Sequence, residues 1–508
     1  WRVAGEDLVL FGSDPLNVLF AVYSMLENHC GCRWLSEFEG GEIIPRLETV
    51  ELPAEPRCFS PAFSHRAFTN YPAIDARTVA MIDWMAKHRF NRFMIFANMS
   101  GSLEAYDKLL RRELVARGMR IEMGHHSFRF FLPPEEFFAE HPEYYALVSG
   151  ERVSSGQVCT ANPAVAEIMA ARVCAFLAAH PEIDTVGLWP NDGYRWCECE
   201  ACLAQEPQEP SWPYAEHPRR TDTYLRFVNR LAAIVAREHP DRSLSALAYV
   251  NYVQPPREVV PLPNVKVCFA PFQRCFKHPL TGAEDDDRCT RPNAEYARLL
   301  KQWRALVPGQ LYLFEYLMLI DMLSIPYPVT NLLPLDFEHY ADLGVSGYVL
   351  EFKPEEWGAF GVNANLIGWL SWDARRNTEK PLSVLYADLY GPAAAEMSAY
   401  FECLKRDFVR PGPCVHHYDL DYTRRATPLL MRPALEHLGR AVALAAFAEW
   451  SQRENVKQAQ IGAQWLLRVG QWRGQLAAGE ALIDWARAHG KSGALDVEYV
   501  ERRVRAEL

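Results

Sequence analysis

From Phe63 onward the chain repeats one pattern: a short apolar run without polar alternation, a turn, then a longer stretch with apolar positions three and four apart. The runs are Phe63–Thr69, Arg92–Ala97, Arg120–Gly124, Thr185–Trp189, Leu244–Tyr249, Val265–Ala270, Leu311–Phe314 and Gly347–Leu350. A run that shows no polar face marks a strand buried on both sides, as in parallel sheets. The intervening stretches predict helices over Asp75–His88, Leu103–Arg117, Ala164–His180, Thr221–His239, Asn293–Leu306, Leu335–Leu343 and Asn363–Arg375. Strand and helix alternating in this way imply parallel pairing through right-handed crossovers. Eight such units in about 315 residues fit an α/β fold, a (β/α)8 TIM barrel with insertions. A doubly wound sheet is the competing arrangement, but no Gly-x-Gly-x-x-Gly or Gly-x-x-x-x-Gly-Lys-Ser/Thr phosphate cradle follows any strand.

The flanks differ from this repeat. Residues 1–55 read as a partial small α/β domain, with two short strands around Gly5 and Glu6 and a helix over Leu16–Asn28. The barrel is expected over 56–392, and 393–508 as an α-helical domain with helices at Met397–Phe408, Leu429–Arg453, Ala459–Leu476 and Ala481–His489. An insertion between the third and fourth strands, Arg129–Pro163, is rich in Pro, Phe and Tyr and is expected to cover the upper face. The chain opens on Trp1, straight into a strand pair and without a visible signal peptide, which suggests a truncated or processed start.

Composition narrows the partners. The net charge is −11 with no basic tract, which argues against nucleic acid. No apolar run approaches the roughly 20 residues that span a bilayer, so no membrane partner is expected. The 13 cysteines are odd in number and scattered, so reduced thiols in a cytosolic compartment are the simplest reading, with a single disulfide in an exported protein left open. Aromatic residues make up 12%, with 14 Trp and 22 Tyr; their flat faces suit sugar rings as well as a core.

In a barrel the residues just past each strand gather on one face. Here they are Arg66 and Asn70, Asn98, His125 and His126, Asn191 and Asp192, Tyr249, Asn251 and Tyr252, Gln273 and Arg274, Glu315 and Tyr316, and Glu351 and Lys353. Such a ring suits a polyhydroxylated substrate, and glycoside hydrolysis in particular, which usually sets two carboxyl groups across the scissile bond. The candidate catalytic acids are Asp192, Glu315 and Glu351. Candidate substrate-binding residues are Arg66, Asn70, His126, Trp189, Asn191, Tyr249, Asn251, Tyr316 and Trp357. Each acid has a structural alternative: Asp192 caps a turn, Glu315 inside LYLFEYLM forms a buried salt bridge, and Glu351 pairs with Lys353. His125 and His126, adjacent at a strand end, are expected to point to opposite faces, one hydrogen bonding and the other packing.

Cys197, Cys199 and Cys202 form Cys-x-Cys-x-x-Cys, three thiols where a structural zinc wants four ligands; Cys159 in QVCTANP is the candidate fourth. The alternative is reduced thiols packed in a tight loop. The proposed chemistry itself requires no cofactor.

The run AVYSMLENHCGCRWL followed by IIP resembles the small α/β domain that precedes the barrel in several carbohydrate-active enzymes, and HPEYYALVSGERVSSGQVCTANP, WPNDGYRWCECEAC, and GYVLEF followed by NANLIGWLSWDARRN and LYADLYG resemble the domain-of-unknown-function family numbered 4838. Part of that family is classified as glycoside hydrolase family 163, endo-β-N-acetylglucosaminidases acting on complex N-glycans. The resemblance covers most of residues 1–405. It implies a glycan or glycoprotein partner and retaining hydrolysis assisted by the substrate's own 2-acetamido group. One acid protonates the leaving oxygen, and a second carboxylate orients the acetamide whose oxygen attacks the anomeric carbon. The chain departs from related sequences in having Glu315 where Asp is expected, and it carries Asn191-Asp192 in place of an adjacent Asp-Glu pair. A glycosidase for another sugar such as a uronic acid, clamped by Arg66 or Arg274, and a non-catalytic carbohydrate-binding protein are the competing readings.

Overall fold

The computed structural model describes residues 1–38, 40–52, 55–70, 74–96, 101–206, 208–281, 287–316, 326–352, 357–409, 415–416 and 426–489. Among them eight parallel strands close into a barrel: β1 (His65–Asn70), β2 (Arg92–Phe96), β3 (Arg120–Gly124), β4 (Ile183–Gly187), β5 (Ser243–Ala248), β6 (Val265–Phe269), β7 (Leu311–Glu315) and β8 (Gly347–Phe352). Each strand pairs with its sequence neighbours, and β8 pairs with β1 in the register Gly347↔His65 through Phe352↔Asn70. Every predicted apolar run therefore lies in, or overlaps, a barrel strand. The fourth ends two residues before its predicted end, leaving Leu188 and Trp189 beyond it.

Helices return the chain between strands, as at Ala76–Lys87, Pro163–Ala179, Thr221–Glu238 and Leu333–Leu343. Local signals start them. Asp75 accepts from the backbone N–H groups of Arg77 and Thr78, and Thr78 Oγ1 accepts from the Asp75 N–H, a reciprocal cap. Asn162 caps the next long helix through the Ala164 N–H, with Pro163 at its first position. Between β5 and β6 the connection holds only the short turn Val250–Tyr252.

The barrel interior is filled by alternate residues of each strand. Tyr312 on β7 donates from its hydroxyl to Glu122 on β3 at 2.6 Å, Ser245 on β5 donates to the same oxygen at 2.7 Å, and His65 stacks on Tyr312 at 4.2 Å. The other parity faces the helices: Phe68 packs on Trp84 and Phe90, and Tyr348 on Phe63 and Phe337. Gly124 and Gly187 meet where β3 and β4 converge; a Cβ on Gly187 would fall 2.7 Å from the Gly124 Cα.

The chain divides into two compact units, one of Trp1–Ile320, Thr330–Glu355 and Asn363–Thr378, the other of Asp321–Val329, Glu356–Val362 and Glu379–Leu508. The first holds the barrel together with the Arg2–Ala4/Asp7–Val9 hairpin, the helix Pro15–His29 and the pair Arg33–Trp34/Glu42–Ile43. The N-terminal segment is tied to the barrel's helices, with Trp84 donating to Trp34 O at 3.1 Å and Asn365 to Leu35 O at 2.9 Å. The second unit carries Glu379–Tyr390, Ala394–Cys403, Pro428–Ala445 and Trp450–His489. The last of these runs unbroken through positions 454–458 and Gly479, where the sequence pattern suggested interruptions. A polar stretch without Pro does not stop a helix, and one internal Gly costs only about 1 kcal/mol.

Candidate active site

The carboxyl end of the barrel collects an aromatic wall with two acids in it. Trp189 is buried, and its indole N–H donates to Ser245 Oγ at 3.1 Å; Ser245 passes the chain on to Glu122. His125 stacks on Phe96 at 3.9 Å and lies 5.5 Å from the Trp189 ring. Phe314 and Tyr316, the inward parity of β7 and its extension, follow at a ring separation of 5.0 Å, and Phe272 bridges Tyr316 at 5.5 Å to Tyr249 at 5.2 Å. His126 completes the arc, 6.3 Å from Tyr249.

The two histidines do not diverge as strand geometry predicts. β3 ends at Gly124, and His125 takes a φ of 69°, a left-handed conformation that costs a residue with a Cβ roughly 1–3 kcal/mol. That reversal brings the two imidazoles to 4.3 Å of each other. Burial holds His125 well below the ordinary imidazole value, and the His126 charge adds to this. Burial also lowers His126, against the opposing pull of Asp192. His126 Nδ1 lies 2.5 Å from Pro190 O, so it carries the proton and donates to that carbonyl, while Nε2 faces Asp192 Oδ1 across 3.8 Å. A neutral His126 thus leaves two acceptors confronting each other.

Asp192 and Glu351 come to this same mouth. Asp192 stands on the exposed turn after β4, with its Oδ1 facing the His126 ring. Glu351 shares its parity on β8 with Val349, opposite to the outward Tyr348, and is 5% exposed beside Thr69 of β1. Both acids act on Tyr316. Burial first, then Tyr249, Glu351, Cys268 and Asp192 push its hydroxyl well above the usual phenol value, so it keeps its proton.

Glu315 goes elsewhere, a correction to the three-acid expectation. Since Tyr312 and Phe314 face inward, Glu315 faces the helix Leu333–Leu343. Its Oε1 accepts from Arg274 at 3.0 Å and from the Tyr340 hydroxyl, and Arg274 also binds Asp336 at 2.5 Å. All three ion-cluster side chains are 1% exposed. The salt-bridge alternative is what the structure shows. Arg66 is likewise displaced from the predicted face. As the second residue of β1 it sits at the opposite end of the barrel, donating to the Phe63 and Arg89 carbonyls, its guanidinium 5.7 Å from the Phe20 ring and 5.4 Å from Trp372.

Two predicted contact residues serve loops. Asn191 accepts from the Arg129 N–H at 3.0 Å and donates to Gly156 O at 3.0 Å, while its backbone N–H and C=O are both held by the Gln157 side chain. Asn251 donates to Pro218 O at 2.8 Å. Trp357 is buried and belongs to the second compact unit. Asn98, Lys353 and the Asn70 side chain lie outside the described residues.

Sequence reasoning missed a second tier of rings. Tyr194 stacks on His217 at 3.8 Å and lies 5.5 Å from Tyr214, whose hydroxyl accepts from Gln273 at 2.8 Å. The Asp192 charge reaches Tyr194, whose hydroxyl burial already pushes up. Tyr214 and His217 come from the long β4–β5 connection, where no periodicity marks them; Tyr194, two residues past Asp192, was the only accessible signal.

The four sulfurs of Cys159, Cys197, Cys199 and Cys202 all lie within 4.8 Å of one another.

The family model described as a domain of unknown function, DUF4838, matches residues 39–402. No curated protein matches the chain. Among solved structures, a family 89 glycoside hydrolase from Clostridium perfringens, in complex with 2-acetamido-1,2-dideoxynojirmycin, superposes with a TM-score of 0.52 at 10% identity, over 100% of this chain and 60% of that one. A family GH115 4-O-methyl-alpha-glucuronidase with specificity for decorated arabinogalactans gives 0.50 at 11% identity, over 98% and 65%. At such identities the likeness is one of fold, and this chain spans less than two thirds of the length of either.

Proposed function

The chain belongs to the DUF4838 family, and from the site carried by its barrel we propose that it is a glycoside hydrolase. We further propose that it is an endo-β-N-acetylglucosaminidase acting on complex N-type glycans, with retention and assistance from the substrate's 2-acetamido group. The single observation that carries this reading is the placement of Asp192, on the turn after β4 beside His126, and Glu351, on the inward parity of β8, at one aromatic-walled end of the barrel. The fold shared with a family 89 glycoside hydrolase that binds a 2-acetamido sugar analogue is consistent with it.

In this reading an acetamide N–H enters between Asp192 and His126 Nε2, supplying the donor that two facing acceptors lack. Asp192 accepts that hydrogen bond and turns the acetamide oxygen toward C1. Glu351, buried on a strand where little water competes, gives its proton to the glycosidic oxygen as the C1–O bond breaks and the acetamide O–C1 bond forms. Water then attacks C1, returns a proton to Glu351 and reopens the ring, so two inversions give retention. Trp189, Tyr249 and Tyr316 supply the ring faces and edges against which a sugar packs. A uronate substrate lacks its expected clamp, because Arg66 and Arg274 are both committed away from the mouth.

The test is Glu351→Gln and Asp192→Asn on an N-acetylglucosamine glycan and on an aryl glycoside. Each variant should lose roughly 10²–10⁴-fold on the glycan. Glu351→Gln should recover much of its rate with the good aryl leaving group, and Asp192→Asn should not. Near-native turnover in both variants removes the assignment, and binding without turnover in the wild type supports a carbohydrate-binding protein instead.

A further inference from the structure

We propose that Cys159, Cys197, Cys199 and Cys202 bind one zinc ion, and that this ion fastens the β3–β4 insertion to the loop that carries Asp192. Cys159 Sγ lies 3.7 Å from Cys199 Sγ and 3.8 Å from Cys202 Sγ. Four sulfurs around a tetrahedral zinc, with bonds of about 2.3 Å, stand about 3.8 Å apart. A disulfide would bring two of them to about 2.05 Å, and all four are free thiols. The spacing is that of a closed tetrathiolate site. Three of the four are buried and Cys199 is half-buried, so no position is left open for a reacting molecule.

The surroundings suit an anionic cluster. The Leu147 N–H points to Cys197 Sγ at 3.4 Å and an Arg152 N–H to the same sulfur at 3.6 Å. Such donors offset the negative charge of zinc bound by four thiolates. The packing also asks for a staple. Among the described residues, Ala146, Cys159, Cys197 and Cys202 form their own small cluster, with the partly buried apolar side chains of Leu147, Val148, Val153, Ala161 and Cys199 against it. So few small side chains bury too little apolar surface to hold two loops and the short antiparallel pair Leu147–Val148/Glu151–Arg152 in register.

The coupling to Asp192 runs through Gln157, two residues before Cys159. Its N–H donates to Arg195 O at 2.9 Å, its side-chain amide donates to Asn191 O at 2.6 Å, and its Oε1 accepts from the Asn191 N–H at 2.8 Å. The zinc therefore closes the far end of a ladder whose near end sets the residue before Asp192. This second clause rests on the proposed role of Asp192; the first does not.

The experiment takes the full chain purified without added metal or chelator. Elemental analysis should give one zinc per chain, X-ray absorption should give four sulfurs at about 2.3 Å, and cobalt exchange should give the visible bands of a tetrahedral thiolate complex. Cys159→Ser should lower the metal content at least tenfold. If that variant does not fold, the wild-type metal count and absorption spectrum decide alone. Folded wild-type protein without zinc, with iron in its place, or with a disulfide among these cysteines overturns the site. Stripping zinc should reduce turnover at least tenfold while the barrel stays folded, and readdition should restore it. Zinc present but irrelevant to turnover overturns the coupling only. Zinc present in a protein that turns over no glycan overturns the proposed function and leaves the metal site standing.

Discussion

Replacing Arg274 and Glu315 separately should give opposite results, because one guanidinium serves two buried carboxylates. Arg274 donates to Glu315 at 3.0 Å, to the Tyr340 hydroxyl at 3.0 Å and to Asp336 at 2.5 Å. Burial pushes the Glu315 carboxyl above its usual value; Arg274 opposes this, and the Asp336 charge pushes it up again. Arg274→Met removes the cation that both carboxylates bind and leaves two acids in a site 1% exposed, a change that costs about 3–5 kcal/mol. Glu315→Gln keeps an oxygen for Arg274 and Tyr340 and leaves a one-to-one pair with Asp336, so its cost should stay within about 1 kcal/mol. Urea unfolding followed by tryptophan fluorescence reads the difference. With a slope near 3 kcal/mol per M, Arg274→Met should lower the midpoint by about 1–1.7 M and Glu315→Gln by less than about 0.4 M. Glycan turnover by Glu315→Gln should stay within about threefold of wild type, because this carboxylate is not at the mouth. An Arg274→Met midpoint equal to wild type, or a Glu315→Gln enzyme that is stable but inactive, would refute the structural reading of this cluster.

Two further outcomes follow from the first unit. Burial holds His88 down to about 4 against an ordinary 6.5, so its neutral form adds stability above pH 6.5 that is lost progressively as the pH falls toward 4. That is on the order of 3 kcal/mol, and the urea midpoint of wild type should fall more steeply than that of His88→Gln between pH 6.5 and 5; equal slopes would contradict the assignment. Gly187→Ala should cost about 1–3 kcal/mol in a thermal melt, because its Cβ would meet the Gly124 Cα at 2.7 Å; an unchanged melting midpoint would show that β3 and β4 yield there.

The barrel was legible because each strand is an apolar run closed by turn residues, and eight such runs alternate with helical periodicity. Which face each strand residue takes was not. Parallel strands are buried on both sides, so LYLFEYLM carries no alternation from which to tell that Tyr312 and Phe314 look inward and Glu315 outward. Glu351 had the same ambiguity and fell on the inner parity. Arg66 was misplaced for a different reason: starting the run at Phe63 hid that Arg66 is the second residue of β1, at the far end of the barrel. Asp192 was readable from the abrupt Pro-Asn-Asp-Gly turn. The backbone reversal at His125 had no sequence mark, since nothing in Gly-His-His predicts a φ of 69°. Cys159 is a candidate only because zinc wants a fourth ligand beside Cys197, Cys199 and Cys202, and the structure brings those four sulfurs together. The rings of Tyr214 and His217 arrive from a connection whose path no local pattern determines.

The central claim is that Asp192 and Glu351 hydrolyse a glycan at the mouth of the barrel. Its most direct test is mass spectrometry of a complex-type glycoprotein incubated with the wild type and with Glu351→Gln. The wild type should release a free glycan ending in a single N-acetylglucosamine, leaving the other on the protein, and the Glu351→Gln sample should show at most about one hundredth of that product. Release of the same glycan at the same rate by both proteins, or no release by the folded wild type, would contradict it.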